Sequence, residues 1–204
     1  GIELVATGAV SEDTFQASAM VSSVTFESEP WHPNDNRPAM FPTNSSGIVV
    51  TGAGLLLVAK FDFRFEAGFY AVNGVSVTGP VAMDAVNGSQ VAAPSNYVNG
   101  IALKSAASLL ARNCRFIIAA TESLVAIAFQ TATNDVDCAH RHVALGDVEI
   151  AATMPPVALS TLTQGLGHGA VRISGGCFRD VNVSNVSVAV SNGDAVVPTG
   201  EPSE

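Results

Sequence analysis

The segment with the residue types best suited to chemistry is 137–143, "DCAHRHV". Cys138, His140 and His142 occupy every second position, and alternate side chains of an extended strand project from the same face. A thiolate and two imidazoles are ligands that zinc accepts. The three residues are therefore a candidate metal site, which a symmetric oligomer could complete with ligands from further copies. The alternative is a polar junction between a loop and a strand, because the segment has no fourth ligand and no CxxC pair.

Other arrangements that would indicate catalysis are weaker still. The segments "GVSVTG" and "GLGHG" do not form the G-x-S-x-G turn of a serine hydrolase. The glycines of "TGAGLLLV" precede an apolar run and lack the Lys-Ser/Thr step of a phosphate-binding loop. Glu27, Glu29 and Asp35 could supply a pair of carboxylates, but their spacing in sequence gives no distance. We expect no catalytic residues, no cofactor and no enzyme activity.

A proline-rich loop, "EPWHPNDNRPAMFPTNSSG" at 29–47, carries aromatic and apolar side chains. Its four prolines exclude a helix and a central strand. A lone tryptophan in such a loop most often packs onto the core, although Trp31 could instead stack on a sugar. We expect Trp31, Met40 and Phe41 to hold the loop down and to form a contact with a neighbouring subunit.

The charge of the chain argues against nucleic-acid and membrane partners. Its 204 residues are 48% hydrophobic and only 13% charged, with a net charge of -9. An acidic surface repels phosphate, and the nine lysines and arginines form no basic block. No apolar run is long enough for a transmembrane helix. Few charges on an apolar chain indicate extensive contact surfaces.

The three cysteines, Cys114, Cys138 and Cys177, are too few and too widely spaced for a disulfide framework. Their odd number favours reduced thiols and assembly in a cytoplasm.

The dominant period of the sequence is two, which predicts strands. In "KFDFRF" (60–65) the three phenylalanines face one side, and the polar residues face the other. In "VNVSNVSVAV" (181–190) the alternation changes phase at Asn185, which predicts a β-bulge. The segment "LKSAASLLARN" (103–113) has apolar residues at helical spacing, but its neighbours favour a strand. Short strands between Gly-, Asn- and Ser-rich turns predict an all-β fold of the sandwich or jelly-roll kind.

The order of these features resembles the jelly-roll domains, similar to tumour necrosis factor and the complement globular head, of bacteriophage capsid decoration and head-fibre proteins. The features that match, in chain order, are Trp31, Thr43-Asn44-Ser45, Gly54-Leu55-Leu56-Leu57-Val58, Val72-Asn73-Gly74 and Leu110-Ala111-Arg112-Asn113. This sequence departs from the family pattern at Leu56, where a tyrosine is usual, and at Arg112-Asn113, where Gly-Asp is usual. The resemblance implies a homotrimer of β-sandwiches.

We therefore expect a jelly-roll β-sandwich domain at 18–152. An N-terminal segment, 1–17, could be a capsid-binding arm, and a short β-containing C-terminal extension, 153–204, would carry a valine-rich strand and a flexible acidic tail. The expected function is that of a virion structural protein, which decorates or cements the outer surface of a phage capsid after assembly in the host cytoplasm. Its expected partners are its own copies and the major capsid protein. The alternatives are a receptor-binding fibre tip or extracellular ligand that recognises glycan or protein, and a single-jelly-roll major capsid subunit.

Overall fold

A computed structural model of the chain describes residues 2–5, 18–28, 44–65, 71–131, 141–154, 169–175 and 177–192. These residues form one 12-stranded sheet and contain no α-helix, so the predicted all-β class is confirmed. No helix that could cross a membrane occurs in these ranges. The strands are β1 (Ile2–Val5), β2 (Ser18–Ser22), β3 (Thr25–Ser28), β4 (Asn44–Thr51), β5 (Gly54–Ala59), β6 (Asp62–Phe65), β7 (Ala71–Thr78), β8 (Val81–Lys104), β9 (Ser108–Gln130), β10 (His142–Met154), β11 (Val171–Ser174) and β12 (Asp180–Asn192).

Every strand pairing in the described part of the chain is parallel, and the registers align residues far apart in sequence. One aligned row contains Ile2, Ile48, Val75, Ile101, Ile127 and Val171. Each member of this row belongs to a separate coil, so the chain winds through six coils that stack as a parallel β-helix. The predicted jelly-roll sandwich is not confirmed, because jelly-roll strands pair antiparallel.

Each coil contributes to three faces of the β-helix. The first face contains β1, β4, β7, residues 97–104 of β8, residues 123–130 of β9, and β11. The second face contains β2, β5 and the first residues of β8, β9, β10 and β12. The third face contains β3, β6 and the residues that follow the next bend in β8, β9, β10 and β12. The long strands β8, β9, β10 and β12 therefore bend from face to face.

The core is built from aligned columns of inward-facing apolar residues. Alternate residues of a strand point to opposite sides, and a parallel register places like-facing residues of successive coils over one another. On the second face, Leu56, Met83, Leu109 and Val143 form one such column, and all four are buried. The predicted strand "KFDFRF" follows this rule, because Phe61, Phe63 and Phe65 are all buried.

The corner between the second and third faces is formed by a column of left-handed residues. Lys60, Asn87, Asn113, Asp147 and Asn185 have φ between 50° and 56°. Asparagine and aspartate tolerate this region better than most residues, because their short polar side chains bond locally. Asn113 Nδ2 donates to Asn87 Oδ1 at 3.0 Å, and Asn185 Nδ2 donates to Asp147 Oδ1. The phase change predicted at Asn185 is confirmed, but the predicted β-bulge is wrong, because β10 and β12 keep the same register on both sides of Asn185, which forms a corner shared with the neighbouring coils.

Two further predictions concern chain organisation. Residues 103–113 contain the end of β8, a turn and the start of β9, so the strand interpretation is confirmed over the helical one. The sheet continues across both predicted domain boundaries, at 17/18 and at 152/153. β1, which precedes the first boundary, pairs with β4, and β12, which follows the second boundary, pairs with β10. The predicted acidic tail lies outside the described residues.

Candidate functional site

Residues 44–47 of the predicted contact loop belong to β4 instead. The rest of that loop and most of the predicted metal site lie outside the described residues. This applies to Trp31, Met40 and Phe41, and to Cys138 and His140. His142 is described and begins β10, where its Nδ1 lies 2.7 Å from Asp180 Oδ2. The two residues are aligned on adjacent strands, β10 and β12. The described ranges contain no group of three His, Cys, Asp or Glu side chains that could hold a metal ion.

The two described cysteines, Cys114 and Cys177, are in different states, and only Cys177 departs from the sequence expectation. Cys177 is disulfide-bonded, so the prediction of reduced thiols is wrong for this residue. Cys114 is a free thiol that is 2% exposed and donates to the carbonyl oxygens of Arg112 and Ala85. Burial raises the pKa of the Cys114 thiol above its ordinary value. A buried thiol with a raised pKa is a poor nucleophile, because the thiolate is the reactive form.

The last coil presents a row of valines that the sequence analysis interpreted only as part of a strand. Val181, Val183, Val188 and Val190 of β12 are aligned with Val143, Leu145, Ile150 and Ala152 of β10. The four β10 residues belong to the core and are at most 4% exposed. The aligned valines therefore face the inside of the β-helix, yet 48% to 63% of their surface is exposed. They are core positions that no described residue covers.

β12 lies at the edge of the described sheet and is uncharged after Asp180, which is unusual. β12 pairs only with β10 among the described strands, so its second edge carries backbone groups without a strand partner. Between Val181 and Asn192 the strand contains only valine, asparagine, serine and alanine. Exposed edge strands are usually protected by charged residues, proline or a bulge. We name the outer edge of β12 and its four exposed valines the C-terminal edge.

The sequence did contain a signal for this surface. The segment 181–190 alternates valine with small polar residues and has no charge, a combination that favours strand pairing. What the sequence could not show is that β12 is the last strand of the stack. Position in the stack decides whether an inward valine is buried.

A second surface feature is an open cleft of about 340 Å³ on the side of the β-helix. Its polar lining comes from the outer side of the first face: Ser76, Thr78, Lys104, Gln130, Arg172 and Ser174. The small residues Ala102 and Ala128 lie between these side chains. Lys104 and Arg172 have no ion-pair partner within the described residues. The cleft therefore presents two uncompensated cations on a chain whose net charge is -9.

A comparison of the chain with protein families, curated proteins and solved structures finds no match to any of them.

Proposed function

We propose that the protein is a structural component that acts by protein–protein contact at the C-terminal edge of its β-helix. The observation that carries the proposal is the exposure of Val181, Val183, Val188 and Val190 at positions whose aligned neighbours are buried. Burial of apolar surface contributes about 25 cal/mol per Å². Exposed apolar patches rimmed by polar residues mark interaction sites. A rigid stack of coils that ends in such a patch is suited to assembly.

The setting that we propose is the outer surface of a virion, where the protein decorates or cements the capsid. The acidic charge suits a surface that faces away from a genome. A homotrimer and a contact with the major capsid protein belong to this proposal. A three-fold axis parallel to the β-helix would use the outer faces and leave the C-terminal edge available. The jelly-roll resemblance does not support the setting, because the observed strand pairs are parallel.

Sedimentation with capsids that lack the protein tests the virion role. We expect the protein to sediment with the shells at a fixed stoichiometry and to raise their melting temperature. Protein that stays in the supernatant at micromolar concentration, with intact shells in the pellet, would contradict this role.

A second candidate function, recognition of an acidic glycan, is favoured by the cleft on the first face. Lys104 follows Ala102 by two residues on the same coil, Arg172 is aligned with Ala128 on the next coil, and the surrounding hydroxyl and amide groups could bond to sugar hydroxyls. An extended carboxylated oligosaccharide would meet both cations. This is the chemistry expected of a receptor-binding protein.

Calorimetric titration with oligogalacturonate at low salt tests the second candidate. We expect the double variant Lys104→Ala/Arg172→Ala to lose binding by tenfold or more. The control Arg64→Ala/Arg115→Ala removes the same charge from the third face and should bind as the wild type does. Equal losses in both variants, or no binding by the wild type, would exclude a site in the cleft.

A further inference from the structure

Three of the five mirrored residue pairs in segment 181–190 of β12 are identical: Val181 with Val190, Val183 with Val188, and Ser184 with Ser187. Its exposed inward valines are Val181 and Val183 before the corner, and Val188 and Val190 after it. In a single antiparallel register with a second copy, Val181 lies opposite Val190 of that copy, and Val183 lies opposite Val188. The same register places Ser184 opposite Ser187 and Asn182 opposite Ala189. Each of the four exposed inward valines then meets another exposed inward valine, while Val186, which is aligned with the buried Val148 and is only partly exposed, lies opposite Asn185.

We propose that the C-terminal edge pairs with the C-terminal edge of a second copy, about a two-fold axis close to the Asn185 corner. This inference rests on the proposed function and names the partner at that contact. Residues 181–184 of each copy pair with residues 187–190 of the other, so the strand segments on both sides of the corner are used. The exposed valines become the centre of a continuous core that runs through both copies.

The charge distribution favours a second copy as the partner. Pairing a strand with itself places like charges near one another wherever the strand is charged, and like charges directly opposite are destabilising. The segment from Val181 to Asn192 carries no charge, although the whole chain has a net charge of -9. Self-association is therefore least opposed by electrostatics at this edge.

The alternative, head-to-tail stacking of two copies, would bury less apolar surface. Continuing the columns onto the first coil of another copy would place Val183 over Val21 and Val188 over Phe26. Val21 is only 8% exposed, whereas Val183 is 52% exposed. Phe26 is partly buried, so the first coil has less inward surface left to cover than the last coil. An interface in which both partners contribute uncovered valines buries more apolar area than one in which a single partner does.

Two-fold closure also ends assembly at one pair, whereas a head-to-tail contact continues into a filament.

Complementary charge variants test this register. A single charge at either position would be buried opposite a valine without a partner, so we expect Val183→Glu and Val188→Lys each to weaken pairing at least 100-fold. The mass of the wild type should be twice that of either variant by analytical ultracentrifugation. A mixture of the two variants should recover the wild-type mass, because the introduced carboxylate of one copy then faces the introduced ammonium group of the other, and the second pair remains Val–Val. Met20→Lys changes an exposed apolar residue, 69% exposed on the first coil, and should leave the mass unchanged.

Cross-linking tests the same register without placing a charge at the contact. Ser184→Cys and Ser187→Cys alter exposed polar positions, and directly opposed residues lie within disulfide reach. Mild oxidation of the mixture should give a covalent heterodimer, whereas neither variant alone should cross-link at these positions.

Three results would overturn the pairing: a wild type with the mass of Val183→Glu, a mixture that does not recover the wild-type mass, or cysteine variants that do not cross-link when mixed. The second and third would indicate that the edge is covered in another way, for example by residues 193–204 or by a different protein. Capsid sedimentation gives a separate result, so the virion role can fail while the pairing holds, and the pairing can fail while the virion role holds.

Discussion

The ring of Phe61 lies directly over Gly88, its neighbour on the next coil. A Cβ atom added to Gly88 would come within 2.0 Å of Phe61 Cε1 and Cζ. The Ser89 amide donates to the Phe61 carbonyl oxygen at 2.8 Å, which fixes the two coils at this point. The column continues with Cys114 and Val148, both buried. A large ring therefore fits into the core because the aligned position on the next coil has no side chain.

Gly88→Ala should destabilise the protein by about 1–3 kcal/mol, as expected when a methyl group is forced into a packed core. The ring of Phe61 has to move, and Phe63 stacks on it with ring centroids 5.0 Å apart. The measurement is the midpoint of urea unfolding followed by circular dichroism.

Gly146→Ala is the matched control. A Cβ at Gly146 would meet Ser184 Oγ at 3.6 Å and Arg112 Cγ at 3.9 Å, which are ordinary contacts. This variant should change stability by less than about 0.5 kcal/mol. If both variants lower the free energy of unfolding by the same amount, the effect of Gly88→Ala cannot be assigned to the Phe61 ring.

The strands could be predicted from sequence, but their partners could not. Alternation in residues 60–65 assigns Phe61, Phe63 and Phe65 to one side of a strand, and the structure buries all three. Alternation says nothing about which strand lies alongside, or in which direction. The coil repeat is also concealed, because Ile48, Val75, Ile101 and Ile127 are 27, 26 and 26 residues apart, whereas Ile127 and Val171 are 44 apart. Inserted segments interrupt the period that would have indicated a β-helix.

The candidate site was hidden for a related reason. Val183 and Val188 have the same residue type and alternation as buried strand valines, and only their place in the last coil exposes them. Lys104 and Arg172 are 68 positions apart in sequence, yet the stacking of coils places both beside one cleft. Sequence reasoning instead selected other residues, of which Trp31 and Cys138 lie outside the described residues.

Asn113→Ala should destabilise the protein by about 1–2 kcal/mol. Asn113 has φ of 51°, a region unfavourable for alanine, and its side chain donates to Asn87. Asn113→Gly keeps the backbone conformation without strain and loses only the side-chain hydrogen bond, so it should cost less than Asn113→Ala. Thermal unfolding of the two variants separates the contributions. Equal melting temperatures would show that the left-handed conformation contributes nothing.

Gln90→Met should stabilise the protein by about 1 kcal/mol. Gln90 is 1% exposed, and its Nε2 donates to the Asn99 carbonyl oxygen at 3.2 Å, but its Oε1 has no hydrogen-bond partner among the described residues. An unsatisfied buried acceptor costs more than one hydrogen bond contributes. The aligned residues Phe63 and Phe116 are apolar and fully buried, so a flexible methionine should fit between them.

Gln90→Glu is the contrasting variant for this position. A carboxylate there would be buried without a cation, so the variant should be much less stable than the wild type at neutral pH. Part of the stability should return at acidic pH, where the carboxyl group is protonated. Urea unfolding at both pH values measures this. A Gln90→Met variant less stable than the wild type would show that the Oε1 atom is satisfied in solution.

Cys114 should make stability fall as the pH rises above the ordinary pKa of a thiol, about 8.5. Burial raises the pKa of Cys114 in the folded state, so above that pH the unfolded chain loses its thiol proton while the folded chain retains it. The stabilisation is complete below the unfolded pKa and is lost as the pH rises towards the folded pKa. The comparison with Cys114→Ala isolates this group, because the other titrating residues are shared. Urea unfolding between pH 7 and 9.5 should show a steeper loss in the wild type, and parallel curves would contradict the assignment.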